Sequence, residues 1–467
     1  MYPDLKAGTH LVLDNTTIAD SYRLRRRVHP PIRDPQAPVL VPEEPWEGLS
    51  VTPLHVIFDG ARGVWRMWYQ AHDPKLEEER RKLGRSKYGN VGEPQPIYCC
   101  YAESADGLRW DRPSLGIYGD TNVVFKGYSY VAGNTFLHRP EAPEPERWLM
   151  VNCEWFSEQK GGIYIAYSPD GLHWRYPGEE PLIHGESDTW NCIVWNPERR
   201  VYMLYMRGWH CAAVNWPALG KGNPRRRVNY SESADLKHWT EPRQILTPDE
   251  LDTNDFYGLQ VFRYGDTWLG QLWIYDDDDG ETIEIELIWS RDGVHWSRLP
   301  DRQRFITHGR PGDPDGYMVI PAQQPVVLAD RLVHYYTGHP NPHGVPGRTS
   351  FSFRATLRLD GFVSMDAGLQ PGALVTRPFI LQGDSITINA AAPYGEIVAE
   401  LSEPYYHEPE GRPVEGFTAK DFDVFHGDAV AHTLSWRGKT DASALRGRRL
   451  MLRMMLKRAQ IYSFTIL

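Results

Sequence analysis

Four near-copies of one seven-residue string constrain this chain more than any other feature. They read SADGLRW at 104–110, SPDGLHW at 168–174, SADLKHW at 233–239 and SRDGVHW at 290–296. Their tryptophans, Trp110, Trp174, Trp239 and Trp296, stand 64, 65 and 57 residues apart. A degenerate fifth copy, RLDGFVS at 358–364, places Phe362 66 residues past Trp296. Self-similarity at such a period is the mark of a repeat architecture.

The segments between the copies decide which one. Each string is preceded by short runs rich in Val, Ile, Tyr, Trp and Phe. RVYMLYMRGW at 200–209, TWLGQLWIYD at 267–276 and RLVHYYTGH at 331–339 are examples, bounded by Gly, Asp, Asn and Pro. Such runs read as strands. Each unit then consists of three strands, an Asp-Gly turn and a Trp-bearing fourth strand. The Asp-Gly pair suits a two-residue hairpin turn, with the serine and aspartate bonding local amides and the tryptophan packing the outer strand. Four-stranded antiparallel units repeated radially make a β-propeller. The predicted class is therefore all-β: a five-bladed β-propeller over 51–368, its fifth unit starting at PVVLAD (325–330), followed by a C-terminal β-sandwich over 369–467.

Residues 1–50 are expected as an extended N-terminal segment packing on the propeller, with THLVLD at 9–14 as an edge strand. PKLEEERRKLGRSK at 74–87 is the one helix-like piece, and RLMLRMMLK at 449–457 reads as strand.

A net charge of −10 argues against nucleic acid, which wants a basic face. No apolar run approaches the ~20 residues of a membrane helix. The N-terminus has no apolar signal-peptide core, so a cytoplasmic protein is expected. Five cysteines, an odd number with no CxxC pair, suggest neither a disulfide framework nor a zinc site, and are expected as buried thiols. Arg225-Arg226-Arg227 reads as a solvated loop, and YDDDDGE at 275–281 as a solvated hairpin tip.

In a propeller the innermost strands line a channel, so the residues preceding them converge. They are Trp46 and Glu47 for the first unit, Asn134 for the second, and Asp188, Trp190 and Asn191 for the third. The fourth has Asp252, Asp255 and Tyr257, and the fifth Arg310, Asp313, Asp315 and Tyr317. Carboxylates held close push one another's pKa values apart, as acid–base work requires. Aromatic rings suit the apolar faces of sugars. Arg207, His339 and His343 follow strands at the same channel mouth.

Strand triplets ending in an S-x-D-x-x-H-W-like string, in five units with a trailing sandwich, resemble the five-bladed glycoside hydrolase superfamily. It comprises invertase and levanase, arabinanase and xylosidase, and mannoside phosphorylase types; the C-terminal sandwich is similar in particular to the invertase type. The resemblance implies acids on the first three blades, and Glu47 and Asp188 match those of the first and third. The invertase string W-M-N-D-P-N-G is replaced by PWEGLS, and Asn134 stands where R-D-P would.

The expected function is a glycoside hydrolase drawing its carboxylates from Glu47, Asp188, Asp255 and Asp315. One would protonate the leaving oxygen; another would attack the anomeric carbon or activate water. Trp46, Trp190 and Tyr257 would shape the sugar subsite, with Asn134, Arg207, His339 and His343 as further contacts. Two alternatives stand beside it: a phosphorylase using Arg207, Arg310 or His343, and a non-catalytic glycan-binding propeller. No cofactor and no metal ligand is predicted, although some arabinanase-type propellers hold a central cation.

Overall fold

The computed structural model describes residues 4–72, 76, 78, 79, 82, 96–127, 132–157, 159–185, 187–210, 225–252, 255–277, 280–345, 348–405 and 408–467. Nearly all of its regular structure is β. Helix among the described residues is confined to short 3₁₀ turns such as Pro45–Glu47 and to Leu76, Glu78, Glu79 and Lys82 of the segment 74–87. The rest of that segment, Asp278 and Asp279 of the acidic run, and Cys211 lie outside the described residues. Cys99, Cys100, Cys153 and Cys192 are free and buried.

Three antiparallel four-stranded sheets follow one another. The first joins Ser50–Asp59, Val64–His72, Ile97–Ser104 and Val123–Phe125. The second joins Ala132–His138, Trp148–Trp155, Gly161–Ser168 and Ile183–His184, and the third Cys192–Asn196, Val201–His210, Arg225–Ser233 and Arg243–Gln244. Two further groups are linked by a single parallel bridge, Ile283 to Met318. The fourth is Asp255–Tyr264, Thr267–Asp276 and Thr282–Ser290, edged by Trp296–Ser297 and Arg304–Ile306. The fifth is Met318–Pro321, Arg331–His339 and Phe351–Arg358.

Two strands of the fifth group differ from expectation. Its first is Met318–Pro321 rather than the run beginning at Pro325, of which only Val326–Val327 pairs, with the same neighbour. Its outer strand is Ile32–Arg33, from the N-terminal segment. The RLDGFVS string instead runs into Val363–Ala367, which pairs with Leu24–Val28 and the C-terminal strand Gln460–Ile466.

The repeated string is a side-chain-capped loop and not a two-residue hairpin. In SPDGLHW, Ser168 Oγ accepts from the Asp170 and Gly171 amides (3.3 and 2.9 Å), and Asp170 Oδ1 accepts from Leu172 and His173 (2.8 and 2.9 Å). The other three copies repeat this pattern. With these amides satisfied locally the loop stays open. Re-pairing begins after the tryptophan, at Tyr167–Arg175 in the second unit. Burial opposes ionisation of Asp170, but the amides of His173 and Leu172 overcome it and hold its carboxyl at about 2.

Each loop docks on the preceding unit. Trp68 Nε1 of the first unit donates to Gly171 O of the second (2.6 Å), and Tyr205 Oη of the third to Gly293 O of the fourth (2.7 Å). Leu236, at a left-handed φ of 66°, joins the core of the second unit beside Leu149 and Val151. Tyr264 of the fourth donates to Asp360 of the degenerate copy (2.5 Å). Tyr335 of the fifth then donates to Gly107 O of the first (2.6 Å), so the docking returns to its start. The first strands also adjoin: Ser50–Asp59 lies beside Ala132–His138, that beside Cys192–Asn196, and that beside Asp255–Tyr264.

The N-terminal segment is more than an extended cover. Gly8–Leu11 pairs with Gln460–Ile466, and Ile18–Tyr22 with Gly372–Thr376. The C-terminal region is organised on Ile386–Tyr405, a strand of 20 residues. Its first half pairs with Gln460–Ile466 and its second with Arg449–Lys457, the expected strand.

Candidate functional site

In antiparallel sheets the starts of odd strands and the ends of even strands share one end of the molecule. That rule gathers the third, fourth and fifth groups' polar residues. Arg207 and Trp209 close Val201–His210, and Arg225, Arg226 and Arg227 open the next strand. Asp255 and Tyr257 open the fourth group, Tyr275 lies near the end of its second strand, and His339 ends Arg331–His339.

Their contacts interlock. Asp188 forms an ion pair with the buried Arg207, whose guanidinium lies over Trp209 at 4.5 Å. Arg226 reaches across the same ring (5.3 Å) and over Tyr257 (4.8 Å) and Tyr275 (5.2 Å). Its backbone amide donates to Asp255 Oδ1 (2.5 Å) and its side chain to Oδ2 (3.2 Å). Tyr257 Oη and His343 Nε2 share a hydrogen bond of 2.8 Å. His343 also lies 5.0 Å from Tyr275, centroid to centroid.

Electrostatics here favour a neutral imidazole. Burial, then the charges of Arg348 and Arg226, lower the His343 pKa to about 3; Asp188 pulls the other way. Burial and Arg348 likewise bring His339 to about 3. His339 donates Nδ1–H to Thr349 O (3.0 Å).

Trp190 packs against the core of the first two units and against that of the last two. It meets Trp273 edge-on at 5.5 Å, and Tyr257 stacks on the same ring at 6.0 Å. Asn134 sits in a bulge opposite Asn152, next to Thr135, whose hydroxyl donates to Asn191 O in the Asp188 loop (2.5 Å). It is fully buried, and neither polar atom of its side chain meets a partner.

Two expected acids are each held by an arginine. Glu47 is fully buried, with Oε1 accepting from Tyr69 (2.5 Å) and Arg112 (2.8 Å) and Oε2 from the amides of Glu43 and Glu44 (2.8 and 3.0 Å). Trp46 donates to Asn122 (2.9 Å) in the same unit. Both tie the N-terminal segment to the first unit. Asp315 is buried against Arg33, the outer strand of the fifth group, and Tyr336; burial raises its pKa against the pull of Arg33. Neither acid shares a partner with Asp188. Asp252 is held by Arg298, and Arg310 is exposed on a loop with Asp313.

Other members of the site were missed. Arg225-Arg226-Arg227 is strand and not solvated loop: Arg225 pairs with Asp277, and Arg226 is sandwiched by aromatic rings. Glu154, at the end of Trp148–Trp155, is fully buried; it accepts from the Trp155 amide (3.1 Å) and Tyr176 (3.2 Å). Burial raises the pKa of Cys153, and the charges of Asp188 and Glu154 add to that. Among the described residues no three His, Cys, Asp or Glu side chains gather as a metal ion would need, and no helix is long and apolar enough to cross a membrane.

Against known proteins, no protein-family model matches the chain. Two uncharacterised proteins of Mycobacterium tuberculosis strains, Rv1502 and MT1551, are each 29% identical over 158 residues, 32% of this chain and 44% of theirs. The chain thus matches less than half the length of these curated relatives. Similar solved structures include a fructofuranosidase from Schwanniomyces occidentalis, at 11% identity and a TM-score of 0.42, covering 99% of this chain and 98% of that one. A family 43 arabinoxylan arabinofuranohydrolase from Bacillus subtilis gives 10% and 0.42, covering 92% and 97%. A glycosyl hydrolase from Bacteroides ovatus gives 14% and 0.47, covering 71% and 94%.

Proposed function

We propose that the chain is a glycoside hydrolase built on a five-bladed propeller with a C-terminal sandwich, acting on a carbohydrate at the mouth around Asp188. Loop docking that runs through five units and returns from Tyr335 to Gly107 supports the ring. The long strand Ile386–Tyr405, pairing in different halves with different partners around one core, supports the sandwich.

The observation that carries the function is Asp188: a partly exposed carboxylate steadied by Arg207 and bordered by Trp209, Trp190 and Tyr257. Asp188 acts at the anomeric carbon, directly or by taking a proton from water. Glu154, which accepts from the Trp155 amide and from Tyr176, gives its proton to the leaving oxygen through an oxocarbenium-like transition state. Asp255 positions Arg226 and does not itself react. Tyr257 and the tryptophans offer faces to the sugar ring.

A panel of aryl glycosides and oligosaccharides, including fructosides, arabinofuranosides and mannosides, tests this with wild type, Asp188→Asn and Glu154→Gln. A hydrolase loses turnover in both variants and still binds sugar. A glycan-binding module shows no turnover in any of the three proteins, and that result overturns the reading. The arginines around His343 favour phosphorolysis as the second reading, recognised by activity that requires inorganic phosphate.

A further inference from the structure

The sugar-facing aromatics share their cup with an excess of guanidinium groups. Three arginines act on the His343 ring, Arg348, Arg226 and Arg207, against one carboxylate, Asp188. Arg207 is engaged by Asp188, and Arg226 by Asp255. Arg348 makes no ion pair or hydrogen bond among the described residues. Its place is fixed by its neighbour, because the Thr349 carbonyl holds His339 Nδ1–H at 3.0 Å and Ser350 bridges to Ser50. The Glu281 carboxylate accepts from the Gly344 amide (2.6 Å).

A neutral sugar has no use for this arrangement. Hydroxyl groups are recognised by paired carboxylates and amides as well as by arginine, and a half-buried guanidinium without an acid carries a desolvation cost that nothing else here offsets. Arginine's planar fork matches oxyanions in particular. His343, held neutral, can donate one hydrogen bond to such a group without adding a fourth charge.

We propose that the cup between Arg348, Arg226 and His343 binds an oxyanion, either a carboxylate, sulfate or phosphate group borne by the sugar or inorganic phosphate delivered beside it. This inference rests on the glycosidase reading for its sugar, but the anion site stands on its own residues. If phosphate is the partner, its oxygen bonds to the anomeric carbon as the glycosidic C–O bond breaks, and the leaving oxygen takes the Glu154 proton.

Calorimetry with inorganic phosphate, sulfate, methyl glucuronide and methyl glucoside tests binding independently of turnover. Wild type is expected to bind at least one oxyanion, and Arg348→Gln to weaken it by about tenfold or more. Arg109→Gln, exposed in the first repeat loop, serves as the arginine control and leaves binding unchanged; circular dichroism verifies that each variant is folded. Failure of wild type to bind any of the three oxyanions, or equal binding by Arg348→Gln, overturns the proposal.

Matched aryl uronides and aryl glycosides, with and without phosphate, then separate the sources. Preference for the uronide places the anion on the sugar, and neutral glycosides turned over only with phosphate make phosphate the co-substrate. Oxyanion binding without any turnover supports the cup while removing the enzyme reading. Phosphate-independent turnover of neutral glycosides that Arg348→Gln leaves intact removes the cup while keeping the enzyme.

Discussion

Tyr257 and His343 meet at 2.8 Å, joining the first strand of the fourth group to the loop between the second and third strands of the fifth. The bond fixes the imidazole and the phenol ring together at the mouth. Tyr257→Phe keeps the ring's stack on Trp273 and removes only the hydroxyl. At about 1 kcal/mol for a hydrogen bond, kcat/KM falls roughly fivefold, with melting temperature nearly unchanged, as steady-state kinetics and a thermal melt will show.

Asp188→Asn is expected to lower kcat by at least about 100-fold while leaving substrate binding within severalfold. Kinetics alongside calorimetry with unhydrolysed oligosaccharide measures both. A variant retaining full turnover places the chemistry on another carboxylate.

Glu47→Gln reads out stability instead. The substitution leaves Arg112 beside a neutral amide in a buried setting. Breaking a buried pair on one side costs about 3–5 kcal/mol, so the urea midpoint drops sharply while kcat of the folded fraction stays near wild type. A kcat collapse with unchanged stability would return Glu47 to the catalytic set.

Acid destabilises the fold early. Burial lowers His334 and His339 to about 3 and His55 to about 4, with His343 also at about 3. Each binds a proton more readily when unfolded, so the unfolded chain gains protons first as pH falls. Their contribution is complete above pH ~6.5 and is lost on the way down towards pH 4 and 3, on the order of 2 kcal/mol per group at pH 5. The raised Asp315 works in the opposite sense, gaining stability as pH falls. Urea titrations at pH 7 and pH 5 measure the balance, and equal midpoints would refute the dominance of the histidines.

Gly107→Ala strikes the docking of the first unit on the fifth. Gly107 has φ of +72°, and a Cβ there would sit 2.6 Å from Tyr335 Oη. Left-handed strain alone costs about 1 kcal/mol, and displacement of the tyrosine adds to it. A loss of 2 kcal/mol or more in urea is expected, against a negligible change for Gly60→Ala, which has open space around it.

The architecture was readable because the repeat is local: serine, aspartate and tryptophan solve the same turn within seven residues, four times over. The site was half readable. Asp188, Arg207, Trp190, Tyr257 and His343 stand close to strand ends, and strand ends converge. Glu47 and Asp315 occupy the same nominal places, yet each is captured by an arginine from remote sequence, Arg112 and Arg33, which linear reading has no means to pair. Arg226 was hidden for the converse reason. A run of three arginines looks solvated until Asp255, Tyr257 and Tyr275 of the neighbouring unit are brought over it.

Ile32–Arg33 finds its partner only in Phe351–Arg358, and Gly8–Leu11 only in Gln460–Ile466. During synthesis Ile32–Arg33 must therefore wait for a partner that lies far downstream, leaving its backbone donors and acceptors exposed in the meantime. Long-range closure of this kind is slow. The newborn chain is thus most vulnerable to chaperone capture and proteases in the interval before those distant partners have been made.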